Sequence, residues 1–275
     1  MTATERRLTW RWFLVAAVVY IVMIQGLGLI LGQDLHYETG TIPDVETMAR
    51  TMTIPIACSM VFAAGLATWL GWWPEIWRDH EPVQRWVRII PIVFVGAAIL
   101  ACDYGNLLDQ KVGLVLLLAL TTAMVGFTEE LMFRGIGVSV FRRGGFTEGR
   151  VALWTSLSFG ALHLSNAIST GGQAIAQALV VSFAGYFFYL IRRQSGGIAL
   201  AMVVHAIWDF ALISGSLGTS KSVYAAASIA PLALLGVGIV VFRRRHRIEP
   251  DAGTRARGDI RRVAGLKDRG RRART

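Results

Sequence analysis

The sequence predicts an all-α, polytopic membrane protein with about eight transmembrane helices. Three observations predict it: 54% hydrophobic residues with a mean hydropathy of +0.50 over 275 residues, apolar segments near bilayer length, and basic residues that alternate from loop to loop. Such a composition lies above the range of soluble domains. The excess of 28 Lys and Arg over 18 Asp and Glu sits in a tail and in short loops, which points to a membrane surface rather than to nucleic acid.

A bilayer core about 30 Å thick needs about 20 helical residues. The first apolar run, Phe13 to Leu31, follows Arg6, Arg7 and Arg11 as a signal peptide would. It is longer than a signal core, and Gly32-Gln33-Asp34 offers no small-x-small cleavage site, so it reads as a retained span. Ile54 to Trp73, Ala174 to Ile191 and Val223 to Phe242 are equally plain spans. Val87 to Tyr104, Val112 to Val140, Val151 to Ser165 and Gly197 to Ile213 are shorter or broken by polar residues, and complete the expected eight. Cys58 and Cys102 lie inside apolar runs with no CxxC spacing and read as small buried side chains.

Orientation follows from the rule that cytoplasmic loops retain Lys and Arg. With the N-terminus inside, the inner loops hold Arg78, Arg85 and Arg88, then Arg142, Arg143 and Arg150, then Arg192 and Arg193, and finally the run from Arg243 to Arg247. The outer loops hold Arg50, Lys111 and Lys221. Both termini are therefore expected in the cytoplasm. Residues 1–242 form the expected membrane domain, and 243–275 a basic, disordered tail able to touch anionic lipid. The Trp69 to Trp86 stretch, with Trp72, Trp73 and Trp77, reads as an interfacial aromatic belt.

A charge at mid-bilayer costs about 2.5–3.5 kcal/mol on insertion scales, so intramembrane ionisable groups persist where they are paired, hydrated or functional. Glu129, Glu130 and Arg134 fall in the fourth span, His163 in the fifth, and His205 with Asp209 in the seventh. At about 1.5 Å per residue the glutamates lie roughly 17 Å deep, His163 roughly 18 Å and His205 roughly 12 Å, so three helices present polar groups at similar depth. Glu130 and Arg134, four residues apart, share a helix face as a packing clamp. Glu129 is five from Arg134, about 140° around the helix, and freer to face a cavity. His205 and Asp209 also stack at four residues, where the aspartate can orient the imidazole or share a proton or metal with it. His36, His80 and His246 lie in loops or the tail and read as surface residues.

Glu129-Glu130-Leu131-Met132-Phe133-Arg134 reads EExxxR, Phe159-Gly160-Ala161-Leu162-His163 reads FxxxH, and His205-Ala206-Ile207-Trp208-Asp209 reads HxxxD. This ordered trio resembles the CPBP (Abi) family of intramembrane proteases, related to the type II CAAX prenyl endopeptidases, over about 112–213. The resemblance implies an eight-helix fold and peptide-bond hydrolysis near a cavity opening toward the cytoplasmic leaflet. It makes Glu129 and His163 the activators of the attacking water, with Glu129 as general base, and His205 and the residue at 209 the oxyanion side. Glu130 and Arg134 would hold the fourth span, and Phe159 belongs to the same motif set. An Asn is usual at position 209 in eukaryotic relatives. An ionised Asp only accepts hydrogen bonds, so Asp209 either orients His205, is protonated, or helps bind a metal. Glu129, His163, His205 and Asp209 could together bind zinc with an open position for water; the metal-free mechanism is favoured. HExxH, GxSG and GxGD signatures do not occur.

The partner so implied is a membrane-associated or hydrophobic peptide, with no nucleic acid. Two readings compete: a non-catalytic immunity or scaffold protein using the polar residues as helix glue, and an ion or proton carrier using the same cluster.

Overall fold

In a computed structural model, which describes residues 7–220 and 224–249, the chain folds as a bundle of helices. We number the long ones α1 Trp10–Gly32, α2 Val45–Leu70, α3 Ile89–Ala101, α4 Val112–Arg143, α5 Glu148–Leu162, α6 Gln173–Ser195, α7 Ala199–Ile213 and α8 Ile229–Arg243. No strand forms among the described residues; Ile42 makes only isolated bridges, to Leu217 and Gly218. Each expected apolar segment carries a helix, but the expected count of spans is not confirmed. Among the described residues five helices (α1, α2, α4, α6 and α7, the last counted to Ser216) are long and apolar enough to cross a membrane. With 13, 15 and 15 residues, α3, α5 and α8 fall short, since about 20 residues are needed.

The bundle turns its apolar side chains outward as well as inward, as a protein solvated by lipid does. Val18, Val22, Val61, Leu116, Phe183 and Leu232 are all exposed. The packed interior is aromatic: Phe94 meets Phe187, Phe188 and Trp208 at centroid separations of 5.8, 5.6 and 4.8 Å.

The two ends of the bundle differ. At one, Asp79, in the connection from α2 to α3, receives Arg142 from α4 at 2.9 Å and Arg192 from α6 at 2.7 Å. Arg142 also grips Glu148 at the start of α5 at 2.8 Å, and Tyr189 donates to the same carboxylate. Arg142 and Arg192 thus do more than mark a loop: Arg192 is 1% exposed and ties α6 to the connection between α2 and α3, at Asp79 and at the Glu75 carbonyl. Burial alone would raise the Asp79 carboxyl, but Arg192 and Arg142 overcome it and hold it below the usual carboxylate range. At the other end Ile42 N–H donates to the Ser216 carbonyl at 2.7 Å, and Asn106 Nδ2 donates to Ser214 and Leu217 carbonyls at 2.7 and 3.0 Å.

The segment expected to begin a disordered tail is still packed through Glu249. Ile248 is buried, Arg193 pairs with Glu249 at 2.8 Å, and Trp86 Nε1 donates to the Arg247 carbonyl at 2.7 Å. The rest of the tail, and its expected contact with anionic lipid, lies outside the described residues. Of the aromatic belt, Trp69 and Trp77 are exposed, whereas Trp72 is buried with the Arg143 guanidinium 4.7 Å over its ring.

Candidate active site

The EExxxR motif does not sit on a regular α-helix. From Glu130 to Gly137 the chain of α4 is π-helical, a wide turn that inserts an extra residue and recurs at functional sites. The expected pairing of Glu130 with Arg134, and of Glu129 with a cavity, is present. Beyond it, Glu129 and Glu130 both reach one imidazole: Glu130 Oε1 lies 2.8 Å from His205 Nδ1 and Glu129 Oε2 3.6 Å from His205 Nε2. Asp209 Oδ2, one turn along α7, is 3.5 Å from the same Nε2.

Gly126 makes this meeting possible. A Cβ on it would stand 2.5 Å from the Met202 carbonyl and 2.9 Å from the Ala206 nitrogen, so α4 and α7 approach backbone to backbone just before the glutamates, as small residues allow in membranes. Gly185 on α6 does the same for the guanidinium, since a Cβ there would come 2.8 Å from Arg134 Nη2.

Behind the imidazole, Arg134 Nη1 lies 3.2 Å from Glu130 Oε1, both side chains fully buried. The expected clamp exists, but Glu130 also ties Arg134 to His205. A carboxylate facing an arginine is an acceptor, so His205 Nδ1 carries the hydrogen and Nε2 is turned to Glu129 and Asp209. The Arg134 guanidinium lies 4.2 Å over the Phe159 ring and 5.5 Å from that of Phe188, desolvated contacts that favour a cation. Phe188 stacks on His205 at 4.5 Å with 15° between planes. Phe159 meets His163 edge-on at 4.9 Å and His205 at 6.0 Å. The motif phenylalanine is thus the floor shared by Arg134 and both histidines.

His163 is the first residue past α5, in a 3-10 turn through Asn166. Its Nδ1 is 3.0 Å from the Phe159 carbonyl, which accepts a hydrogen and leaves Nε2 as the basic nitrogen. It makes no hydrogen bond to Glu129, His205 or Asp209. All four candidates nevertheless line one cavity of about 340 Å³, with Tyr20, Gln25, Met52, Asn166 and Gln177 on its walls.

The cavity extends toward the end of the bundle away from the arginines, where α2 and α6 begin and α5 and α7 finish. The Asp79, Arg142, Arg192 and Glu148 pairs fill the arginine end.

Gln25, Asn166, Gln177 and Phe188 were not anticipated from the sequence. Gln25 was detectable as a polar side chain inside the first apolar run, but a search for ionisable groups passes over an amide. As for zinc, no group of three or more His, Cys, Asp and Glu among the described residues is arranged to hold a metal ion. His205 Nδ1 is engaged by Glu130 and His163 Nδ1 by a carbonyl, which leaves the Nε2 nitrogens as the ring atoms open to the cavity.

Residues 111–211 match the family model described as Type II CAAX prenyl endopeptidase Rce1-like. The matched stretch contains all three motifs and agrees with the family they resemble. No curated protein and no solved structure matches the chain. The family match and the apolar helices support an integral membrane protein similar to CAAX-type endopeptidases.

Proposed function

We propose that the chain is an intramembrane endopeptidase acting on a membrane-associated or hydrophobic peptide. The observation that carries this reading is the pair of carboxylates, Glu129 and Asp209, on one nitrogen of an imidazole whose other nitrogen is held by the buried Glu130–Arg134 pair. Carboxylates in excess of nearby cations, gathered on an internal cavity, are what proton-transfer chemistry needs and what helix packing does not.

In the proposed mechanism a water lies between Glu129 and His163. Glu129 takes its proton, the oxygen attacks the scissile carbonyl carbon, and the carbonyl electron pair moves onto oxygen. His205, kept as an imidazolium by the three carboxylates around it and so protonated on both nitrogens, donates from Nε2 to that oxyanion while Glu130 holds Nδ1. Asp209, an acceptor, keeps the imidazole oriented rather than touching the oxyanion itself. Collapse breaks the C–N bond as Glu129 returns the proton to the departing amine. The walls supplied by Ile21, Ile24, Met52 and Val181 suit apolar substrate side chains.

The test is cleavage of quenched fluorescent peptides by purified protein in detergent. Glu129→Gln is expected to lower the rate by about 10²–10⁴-fold, the usual contribution of a general base, with His163→Ala close behind and both variants folded. Unchanged cleavage in both would reject the assignment.

A further inference from the structure

We propose that Gln25, Asn166 and Gln177 form an amide strip that binds the backbone of the peptide substrate. The inference rests on the endopeptidase reading and adds how substrate is held. These side chains line the same cavity as Glu129, His163, His205 and Asp209, and reach it from α1, from the turn after α5 and from α6. Gln25 Nε2 donates to Ser165 Oγ and to Asn166 Oδ1, both at 2.9 Å, and Asn166 Nδ2 donates to Gln177 Oε1 at 3.0 Å. Among the described residues Gln25 Oε1 accepts no hydrogen bond.

A peptide must be extended or unwound to offer a carbonyl to an attacking water. Within a membrane that frees N–H and C=O groups with no water to satisfy them, each costing several kcal/mol. A side-chain amide carries the same donor and acceptor pair as the peptide group itself. Three amides already bonded to one another can exchange those bonds for a substrate's without leaving polar atoms bare. Charged side chains would instead select for charge on the substrate, and the strip has none. Gln25 also joins α1 to the turn that carries His163, so a peptide that displaces its bonds enters beside the water-activating histidine.

The proposal is tested by binding, which does not depend on turnover. A fluorescein-labelled Leu/Ala decapeptide is titrated by anisotropy against full-length Glu129→Gln protein and against the same protein carrying Gln25→Met, a substitution that keeps side-chain length but removes donor and acceptor. A set of esters, each replacing one peptide N–H, is titrated in parallel. The parent protein should lose about tenfold in affinity on one ester, as for one buried hydrogen bond. The Gln25→Met protein should bind the all-amide peptide about tenfold more weakly and no longer distinguish that ester. No binding, equal affinities, or a uniform loss on all peptides would overturn the strip. If affinity depends on Gln25 while wild-type protein cleaves nothing, the hydrolytic reading fails and the peptide-binding strip stands.

Discussion

Two buried polar clusters hold this bundle, and they are built differently. At the arginine end, Asp79, Arg142, Arg192 and Glu148 alternate in sign, with contacts of 2.7–2.9 Å across loops that reach the bundle rim. In the middle, Glu129, Glu130, Asp209, Arg134 and His205 bring three carboxylates to one guanidinium and one imidazole, at 2.8–3.6 Å. Glu130 Oε2 and the three Arg134 nitrogens are buried without a hydrogen bond, whereas at the arginine end only Arg192 Nη1 is left so among the described residues. A cluster that closes its own bonds holds helices together. One that gathers more carboxylates than cations on an internal cavity is equipped to exchange protons.

The comparison breaks most severely if Arg134 is replaced. Arg134→Met leaves Glu130 buried without its cation and should cost about 3–5 kcal/mol of stability, read as a large drop in thermal unfolding temperature in detergent; a fall of under about 1 kcal/mol would mean that Glu130 is neutralised by His205 alone. Asp79→Asn, which removes charge from the other cluster while keeping shape, should cost about 1.5–3 kcal/mol, the worth of hydrogen bonds to charged groups. That loss also has a pH signature. Because the folded protein holds the Asp79 carboxyl below its usual range, its stabilisation is complete above the unfolded value of about 3.9 and fades as pH falls through the lower folded value. Unfolding of wild type and Asp79→Asn should differ by a constant amount from about pH 5 to 8 and converge only below about pH 4; a gap that closes near neutrality would contradict this. Smallest of all, Glu75→Gln weakens a pair with Arg143 that is about a third exposed on both sides while leaving Arg143 over Trp72, and should shift stability by less than about 1 kcal/mol.

Much of this was legible in the amino-acid order. Long apolar runs marked the helices, and the confinement of Glu129, Glu130, Arg134, His163, His205 and Asp209 to three of them marked the cavity, because ionisable groups in hydrocarbon need a reason. What could not be read was geometry that departs from a regular helix. The π-helical turn at Glu130–Gly137 leaves no periodic trace in eight residues, and spacing along one helix pairs Glu130 with Arg134 but carries no sign of its bond to His205 on another. Arg142 and Arg192 read as orientation signals, as loop arginines usually do; their pairing depends on Asp79, which is distant in sequence from both. Gln25 escaped for a chemical reason, being polar without being charged.

The central claim is that the middle cluster serves chemistry and the arginine end serves the fold. Peptide cleavage per folded molecule, measured for Glu129→Gln and Asp79→Asn side by side, separates the two. The account predicts that Glu129→Gln keeps the wild-type unfolding temperature and loses about 10²–10⁴-fold in rate, while Asp79→Asn unfolds earlier yet cleaves at the wild-type rate. Retained cleavage in Glu129→Gln, or a parallel loss of rate in both folded variants, would contradict it.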